Sequence, residues 1–504
     1  YMIATIAGQG DEGIDEGNPR EVIEIVKDMQ VRGKRVLQIV YHPVSFDAKE
    51  SRLSAAWMAQ WHLSYSYPQA LPTQDTHKPW EVEFAAAIPG VINATNAPLV
   101  AERDSENEKT EYVIVAHDAF YNAIQPLVKQ KEAKGLRVTT IKLSEIAGGY
   151  TGDNGFIDNY SIETANMFAD RITVYLRKLY DQRQDKPLYV LLVGDAQFVP
   201  PHYRTNHVNY IDSQESVAKK RVATDLYYGV FEQDDKGNYS IYTKYVPDLF
   251  VGRLPCKTAE ECSVMVEKIV CMENNHSGSF DFSRNVLLAG SIASDAVSEY
   301  LSENGFQVNT SIAMNLDPAH YTLAAQPIID AVNQGVGLVY YRGEGTKFSW
   351  SDPYFDSATQ GMSIADLRNQ ERYPWIIAAA SLTGRFDPLY EENNQMVIGN
   401  QDSFAESWLK AQGSGAYAVI AATHEQPTCL SSSFNAMPSY LISSDNQDAR
   451  HFGALLQYSK MSTLHYLPYA SDRMQRTAFE LYQLFGDPEA GPLVEANSML
   501  AKSN

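Results

Sequence analysis

Short apolar runs alternate with segments of helical period along most of the chain, and each change of period marks an expected element. Val36-Leu-Gln-Ile-Val-Tyr-His-Pro-Val44 reads as a β-run closed by a Pro-containing turn. Leu63, Tyr65 and Tyr67 alternate with Ser64 and Ser66, the period of a half-buried strand. Between Pro19 and Arg32 the apolar positions Val22, Ile23, Ile25, Val26 and Met29 suit either one amphipathic helix or a loop and strand. From Glu111 onward the runs lengthen. Tyr112–Ala116 predicts a buried strand, Phe120–Lys134 a helix closed by Gly135, and Leu136–Ile141 a further strand. Thr164–Tyr180 follows as a helix and Pro187–Val193 as an apolar strand of the parallel, doubly covered kind. The pattern restarts at Asn285–Ala289. It continues with helices at Ala296–Glu303 and Ile328–Gln334, and strands at Phe306–Val308, Gly337–Tyr341, Trp375–Ala379 and Ala416–Ala422.

Strand, helix, strand in this rhythm means βαβ units on a parallel sheet. The restart divides the α/β region into two halves meeting near Phe280. Before it, the polar stretch Asp104–Lys109 reads as a linker. Residues 1–105 are expected to form a separate β-rich domain with its own core around Val36, Leu37, Ile39, Val40, Trp57 and Trp61. The expected division is therefore 1–105, 106–280, 281–495 and a tail at 496–504.

Composition narrows the function. Hydrophobic residues make up 44% of the 504, enough for sizeable cores, which excludes global disorder. The formal net charge of −21 repels phosphate backbones and anionic lipids, so nucleic acid and membrane surface are poor partners. No apolar run is long enough for a transmembrane helix, so direct membrane insertion is not expected. Cysteines at 256, 262, 271 and 429 contain no C-x2-C pair, which argues against a zinc site. No cofactor is required by any motif. A structural calcium is compatible with the acidic balance, but no pattern locates it, and metal ligands stay unassigned. The chain opens at Tyr1 rather than Met, so a trimmed chain is expected.

Ligands of open parallel sheets bind at the carboxyl ends of strands. Three such ends carry polar chemistry: Val193–Pro200, Tyr340–Thr346 and Ala378–Gly384. The last two put Glu344 and Ser381 where a general base and a nucleophile are carried. Their plainer reading is a tight turn between Gly343 and Gly345, and a capping serine.

Several segments resemble the gingipain family of secreted caspase-fold cysteine peptidases. They are Leu191-Leu-Val-Gly-Asp195, Ala223–Gly229, Asp248–Pro255, Gly335–Thr346 with Trp350, Phe404-Ala-Glu406, Ala418–Thr423 and Leu484–Pro488, in the family's order over about 111–495. The resemblance implies a caspase-like α/β/α sandwich in two sheet halves. It extends to a β-rich prodomain-like stretch at 1–105, where Arg35–Val44 reads like a prodomain strand.

The resemblance also implies a departure. The family's catalytic His stands between two glycines, where this chain has Glu344. Its nucleophilic Cys closes the next strand, where this chain has Ser381. A hydroxyl is a far weaker acid than a thiol and needs a strong base within hydrogen-bond reach. A carboxylate fills that role only when desolvated. By the same analogy the amides of Gly345 and Ser381 are the oxyanion donors. Asp225 matches an acidic position that recognises a basic side chain, and Trp350 an aromatic that walls that pocket. Asp225 has a plainer reading as a turn cap. His424 and Cys429 lie in a loop after Ala416–Ala422 and read as ordinary loop residues; Cys256, Cys262 and Cys271 read as core or surface thiols.

The expected function is a catalytically inactive pseudopeptidase, a binding or scaffold component of a secreted or cell-surface bacterial assembly. Its partner would be a protein or peptide carrying a basic side chain, or secretion and surface-attachment machinery. The alternative is an active endopeptidase with a rewired Ser381/Glu344 site.

Overall fold

The computed structural model describes residues 2–6, 23–31, 34–42, 44–47, 52–55, 111–147, 157, 160–182, 187–205, 221–231, 246–274, 281–290, 295–311, 321–392, 395–426, 451–466 and 472–493. The N-terminal strands are β1 (Met2–Ile6), β2 (Ile23–Val31), β3 (Lys34–Tyr41), β4 (Val44–Asp47) and β5 (Arg52–Ala55). Of the open choice at Pro19–Arg32, the described residues Ile23–Val31 form a strand. β3 is central, parallel to β1 and antiparallel to β2, while β4 and β5 form a hairpin. Ile39 and Val40 are buried. None of these strands joins the central sheet described below. Leu63–Tyr67, Trp57, Trp61 and the Asp104–Lys109 stretch lie outside the described residues.

The first α/β half runs β6 (Glu111–Ala116), α1 (Gln125–Ala133), β7 (Arg137–Lys142), α2 (Leu143–Ala147), α3 (Ile162–Gln182) and β8 (Pro187–Val193). A ribbon of β9 (His202–Thr205) and β10 (Arg221–Thr224) leads to β11 (Phe250–Leu254) and α4 (Ala259–Asn274). Alternation along β6 sends Tyr112, Ile114 and Ala116 into one apolar cluster with Leu127 of α1 and Met265 of α4. Val113 and Val115 join another with Ala169, Ile172 and Leu176 of α3. Helices therefore cover both faces, which is why β8 is apolar at every position.

The second half runs β12 (Asn285–Ala289), α5 (Asp295–Glu303), β13 (Gln307–Ser311), α6 (Tyr321–Gln334) and β14 (Leu338–Arg342). A ribbon of β15 (Ser349–Ser351) and β16 (Tyr354–Asp356) precedes β17 (Trp375–Ala379). A second ribbon, β18 (Leu389–Glu392) and β19 (Gln395–Ile398), precedes α7 (Phe404–Lys410) and β20 (Ala418–Ala422). After α8 (Phe452–Tyr466) and α9 (Asp472–Leu481), β21 (Tyr482–Phe485) returns to the middle.

The result is one ten-stranded sheet in the order β13-β12-β14-β17-β20-β21-β11-β8-β6-β7. β13 to β20 are mutually parallel, and so are β21 to β7, but β20 and β21 are antiparallel. The two α/β halves therefore point in opposite directions. The carboxyl ends of β14, β17 and β20 lie on one edge of the sheet, and that of β8 on the other. Of the three strand ends singled out in the sequence, the one at Val193 is thus on the opposite edge of the sheet from those that lead to Glu344 and Ser381.

Candidate functional site

β14 and β17 pair in register with Arg342 opposite Ala379. Glu344 and Ser381 each stand two residues beyond that pair, so the sheet itself makes them neighbours. The approach is close. A Cβ on Gly345 would meet Thr383 Cγ2 at 2.7 Å and the Ser381 carbonyl oxygen at 2.9 Å. One on Gly290, at the end of β12, would lie 2.1 Å from the Arg342 carbonyl oxygen. Only glycine lets these turns pack together.

The glutamate loop is held through its backbone. Tyr341 donates its hydroxyl to the Glu344 carbonyl at 2.6 Å, and the Ser351 amide donates to the same oxygen at 3.0 Å. The Glu344 side chain is exposed. It forms no ion pair with Arg342 or Arg385 and no hydrogen bond with any described residue. The desolvated, apolar surroundings that would make this carboxylate a useful base are absent around it.

Ser381 is half-buried, and its Oγ accepts a hydrogen bond from the Gln426 amide at 3.2 Å. Tyr482, at the start of β21, donates its hydroxyl to the side-chain oxygen of Gln426. Leu382 donates its amide to the His424 carbonyl at 3.2 Å and has φ +65°, a left-handed conformation that L side chains resist. The turn that carries residue 381 is therefore a sharp one, held against the 423–426 segment. Among the described residues the amides of Gly345 and Ser381 donate to no acceptor. No hydrogen bond joins Glu344 to Ser381.

The sequence suits an ordinary surface loop near the pocket at 423–426. That segment lies directly against Ser381. His424 is buried, and its Nδ1 accepts from the Glu425 amide at 2.8 Å. Its place beside the serine follows from β20 running parallel to β17, a pairing that local sequence signals do not carry. Cys429 lies outside the described residues. Cys256 and Cys262 are buried, and burial together with the Cys262 neighbour pushes the Cys256 thiol up, as expected of inert core thiols.

Asp225 follows β10, which the segment after β20 touches. Thr423, just past β20, donates its hydroxyl to the Ala223 carbonyl at 2.8 Å. The Asp225 carboxylate is buried and fully engaged, with Arg253 Nε on Oδ2 and Nη2 on Oδ1, both at 2.7 Å. Neither a turn cap nor a free pocket anion describes it; it is half of a buried ion pair. Trp350 has 0% exposure and stacks on Tyr341 at 4.3 Å, within a cluster of Phe355, Phe404 and Trp408. It is core beneath the glutamate loop rather than a pocket wall.

Glu273, Asp487 and Glu489 converge as a cation-binding group would. The Lys131 ammonium sits among all of them, and Lys134 reaches Glu273 and Glu489. A side-chain cation thus takes the place of a metal, and Glu489 is held down to about 2, after the opposing effect of burial, by these lysines. The cluster follows β21 and lies on the edge away from Ser381.

The profile of peptidase family C25 matches residues 105–492. Gingipain R2 of Porphyromonas gingivalis is 24% identical over 334 residues, which is 64% of this chain and 38% of that protein. Gingipain R1 of the same organism is 24% identical over 334 residues, 28% of its length. The chain thus spans well under half of these curated relatives. An uncharacterized protein of Archaeoglobus fulgidus is 23% identical over 312 residues, 57% of this chain and 69% of that one. Among solved structures, the complex of the pro- and mature domains of RgpB from Porphyromonas gingivalis aligns with TM-score 0.56 at 18% identity, covering 76% of this chain and 79% of that one. The Arg-specific cysteine proteinase gingipain R aligns with TM-score 0.55 at 18% identity, covering 77% and 79%. These structures share the fold.

Proposed function

The chain belongs to peptidase family C25, and we propose that it is a non-catalytic member: a pseudopeptidase that keeps the scaffold for binding rather than cutting. One observation carries this reading. Among the described residues the serine at the nucleophile position has no base on it: its Oγ accepts from the Gln426 amide, and the side chain of the neighbouring Glu344 is exposed and forms no hydrogen bond or ion pair with Ser381 or any other described residue. A serine needs its proton taken as it attacks, and a solvated carboxylate is poorly matched to that task.

The rest of the apparatus is consistent with a retained shape. The Leu382 turn is still strained, and the Gly345 and Ser381 amides are still open, as oxyanion donors would be. The partner is a protein or peptide, and the setting a secreted or cell-surface bacterial assembly, by analogy with the gingipains. Asp225 is neutralised by Arg253, with buried Lys460 beside it, so recognition of a basic side chain at that position loses its electrostatic ground. Residues 1–105 would be a prodomain-like unit that stays attached and docks through α8, where Gln38 donates its side-chain amide to the Leu464 carbonyl.

The rival reading is an active endopeptidase that uses Ser381, with Glu344 reorganised on substrate binding. A serine-directed phosphonate separates the two. The pseudopeptidase leaves Ser381 unlabelled; stoichiometric adduct on Ser381, absent from the denatured chain, supports the enzyme.

A further inference from the structure

Phe404-Ala-Glu406 opens α7 and touches both loops of the candidate site through its backbone. The Phe404 amide donates to the Lys347 carbonyl at 2.7 Å, in the loop that carries Glu344. The Ala405 amide donates to the Thr383 carbonyl at 2.9 Å, in the turn that carries Ser381. A reciprocal cap closes this first turn. The Ser403 amide donates to Glu406 Oε2 at 2.7 Å, and the Glu406 amide donates to Ser403 Oγ at 3.4 Å. Where the first turn of α7 stands therefore decides where both loops stand.

Glu406 is fully buried and faces a charged junction between the two α/β halves. Lys410, on its own helix, lies 3.4 Å from Glu406 Oε1, 2.7 Å from Asp402 and 3.3 Å from Glu261 of α4. Lys257, just ahead of α4, lies 2.6 Å from Asp402 and 3.5 Å from Asp195 in the turn after β8. Four carboxyl groups thus share two ammonium groups, and ionising all four leaves two negative charges unmatched. Lys347 also faces Glu406, from the loop after β14, with its amine pushed down by burial. Lys268 of α4 donates to the Trp408 and Leu409 carbonyls at the other end of α7, and burial pushes its amine down to about 7. β20 and β21, also packed on α7, add only the Tyr482 phenol, which burial holds above its usual range.

Burial first, and then Asp195, push the Glu406 carboxyl up, to about 8. Lys410 and the helix N-terminus favour its anion, but by less. Asp402, by contrast, is held down by Lys410 and Lys257 against the opposing effect of burial. At neutral pH the proton of this cluster sits on Glu406.

We propose that Glu406 is a pH-sensitive positioning residue for the candidate site: uncharged, it keeps the first turn of α7 seated and both loops in place; ionised, it unseats that turn and loosens them together. A buried anion beside Asp195 and Asp402 is relieved only when water reaches it, and the first turn of α7 is what must move to admit water. The inference rests on the site proposed above, through its placement at Glu344 and Ser381 rather than through the loss of cutting. Peptide cleavage would overturn the pseudopeptidase and leave this inference standing.

The test is hydrogen–deuterium exchange of the full chain at about pH 6.5 and about pH 9, read by mass spectrometry and corrected for intrinsic rates. At the higher pH, wild-type peptides covering 343–351 and 380–385 are expected to exchange about threefold faster or more, with β6 and β8 unchanged. Glu406→Gln keeps an acceptor for the Ser403 amide and cannot ionise, so its loops are expected to stay protected at both pH values. The variant retains Lys268 and Lys347, so its comparison with wild type cancels their titration. If it fails to fold, wild type alone decides. Loop exchange that does not rise with pH, or that rises equally in β6 and β8, overturns the proposal. So does a folded Glu406→Gln that loosens as wild type does.

Discussion

Asp225 and Arg253 form a buried bidentate ion pair, both contacts at 2.7 Å, that ties the segment after β10 to β11. Arg253 also donates to the Gly194 and Val199 carbonyls, at 2.6 and 2.7 Å, so one guanidinium links the end of β8, the turn after it and Asp225. Its five donors in a rigid fork suit this junction in a way a lysine would not.

Arg253→Met should therefore destabilise the chain by about 3–5 kcal/mol, because it leaves Asp225 buried and uncompensated. The double change Arg253→Met with Asp225→Leu should cost clearly less than the sum of the single changes. Denaturant unfolding of the three variants measures this. Purely additive costs would mean that Asp225 is held by something other than Arg253.

The turn at Ser381 can be probed by thiol chemistry. Ser381→Cys alone places a thiol beside a carboxylate; with Glu344→His it stands beside an imidazole. A nearby cationic imidazole favours the thiolate and an anionic carboxylate disfavours it. Alkylation by iodoacetamide at neutral pH, followed by mass spectrometry of the tryptic peptide, should run about tenfold faster in the double variant. Equal rates would mean that positions 344 and 381 do not sense each other, contrary to their placement two residues past Arg342 and Ala379.

Much of this arrangement was legible in the sequence, and the limits are instructive. β6, β8, β12, β14, β17 and β20 are short continuous apolar runs, and the helix read at Thr164–Tyr180 extends to Ile162–Gln182. The restart after Phe280 marked the second half. What local pattern could not carry is direction. Nothing in Tyr482–Phe485 announces a strand inserted between the halves and antiparallel to β20, so the opposite edges of the sheet were not separable. Val22, Ile23, Ile25, Val26 and Met29 fit two periods, and for the described residues from Ile23 onward pairing with β3 decides for strand. The resemblance implies pocket roles for Asp225 and Trp350. Long-range packing gave Asp225 to Arg253 and Trp350 to the stack on Tyr341. Lys460 and Gln457 carry no local signal of their burial, because polar residues on a helix ordinarily face water.

Lys460 also predicts a pH dependence. Its amine titrates near 7 in the folded chain and near 10.5 when unfolded. Between those values the unfolded chain binds the extra proton, so this group's contribution to stability rises with pH through the window and is constant below it. Lys460→Met removes that contribution. The variant should be more stable than wild type by a few kcal/mol near neutral pH, and its advantage should shrink as pH approaches 10. Taking the difference between the two proteins cancels other buried groups, such as Glu406, pushed up to about 8 mainly by burial, and Lys268, pushed down to about 7 by burial. Unfolding at several pH values checks it; a difference that does not change with pH would contradict it.

The central claim is that the C25 scaffold here no longer cuts peptide bonds, and turnover tests it most directly. Wild type and Ser381→Ala are incubated with a mixture of peptides that includes Arg- and Lys-containing sequences, and cleavage is followed by mass spectrometry. The account predicts no cleavage by wild type above the level of Ser381→Ala. Cleavage by wild type that disappears in Ser381→Ala would contradict it.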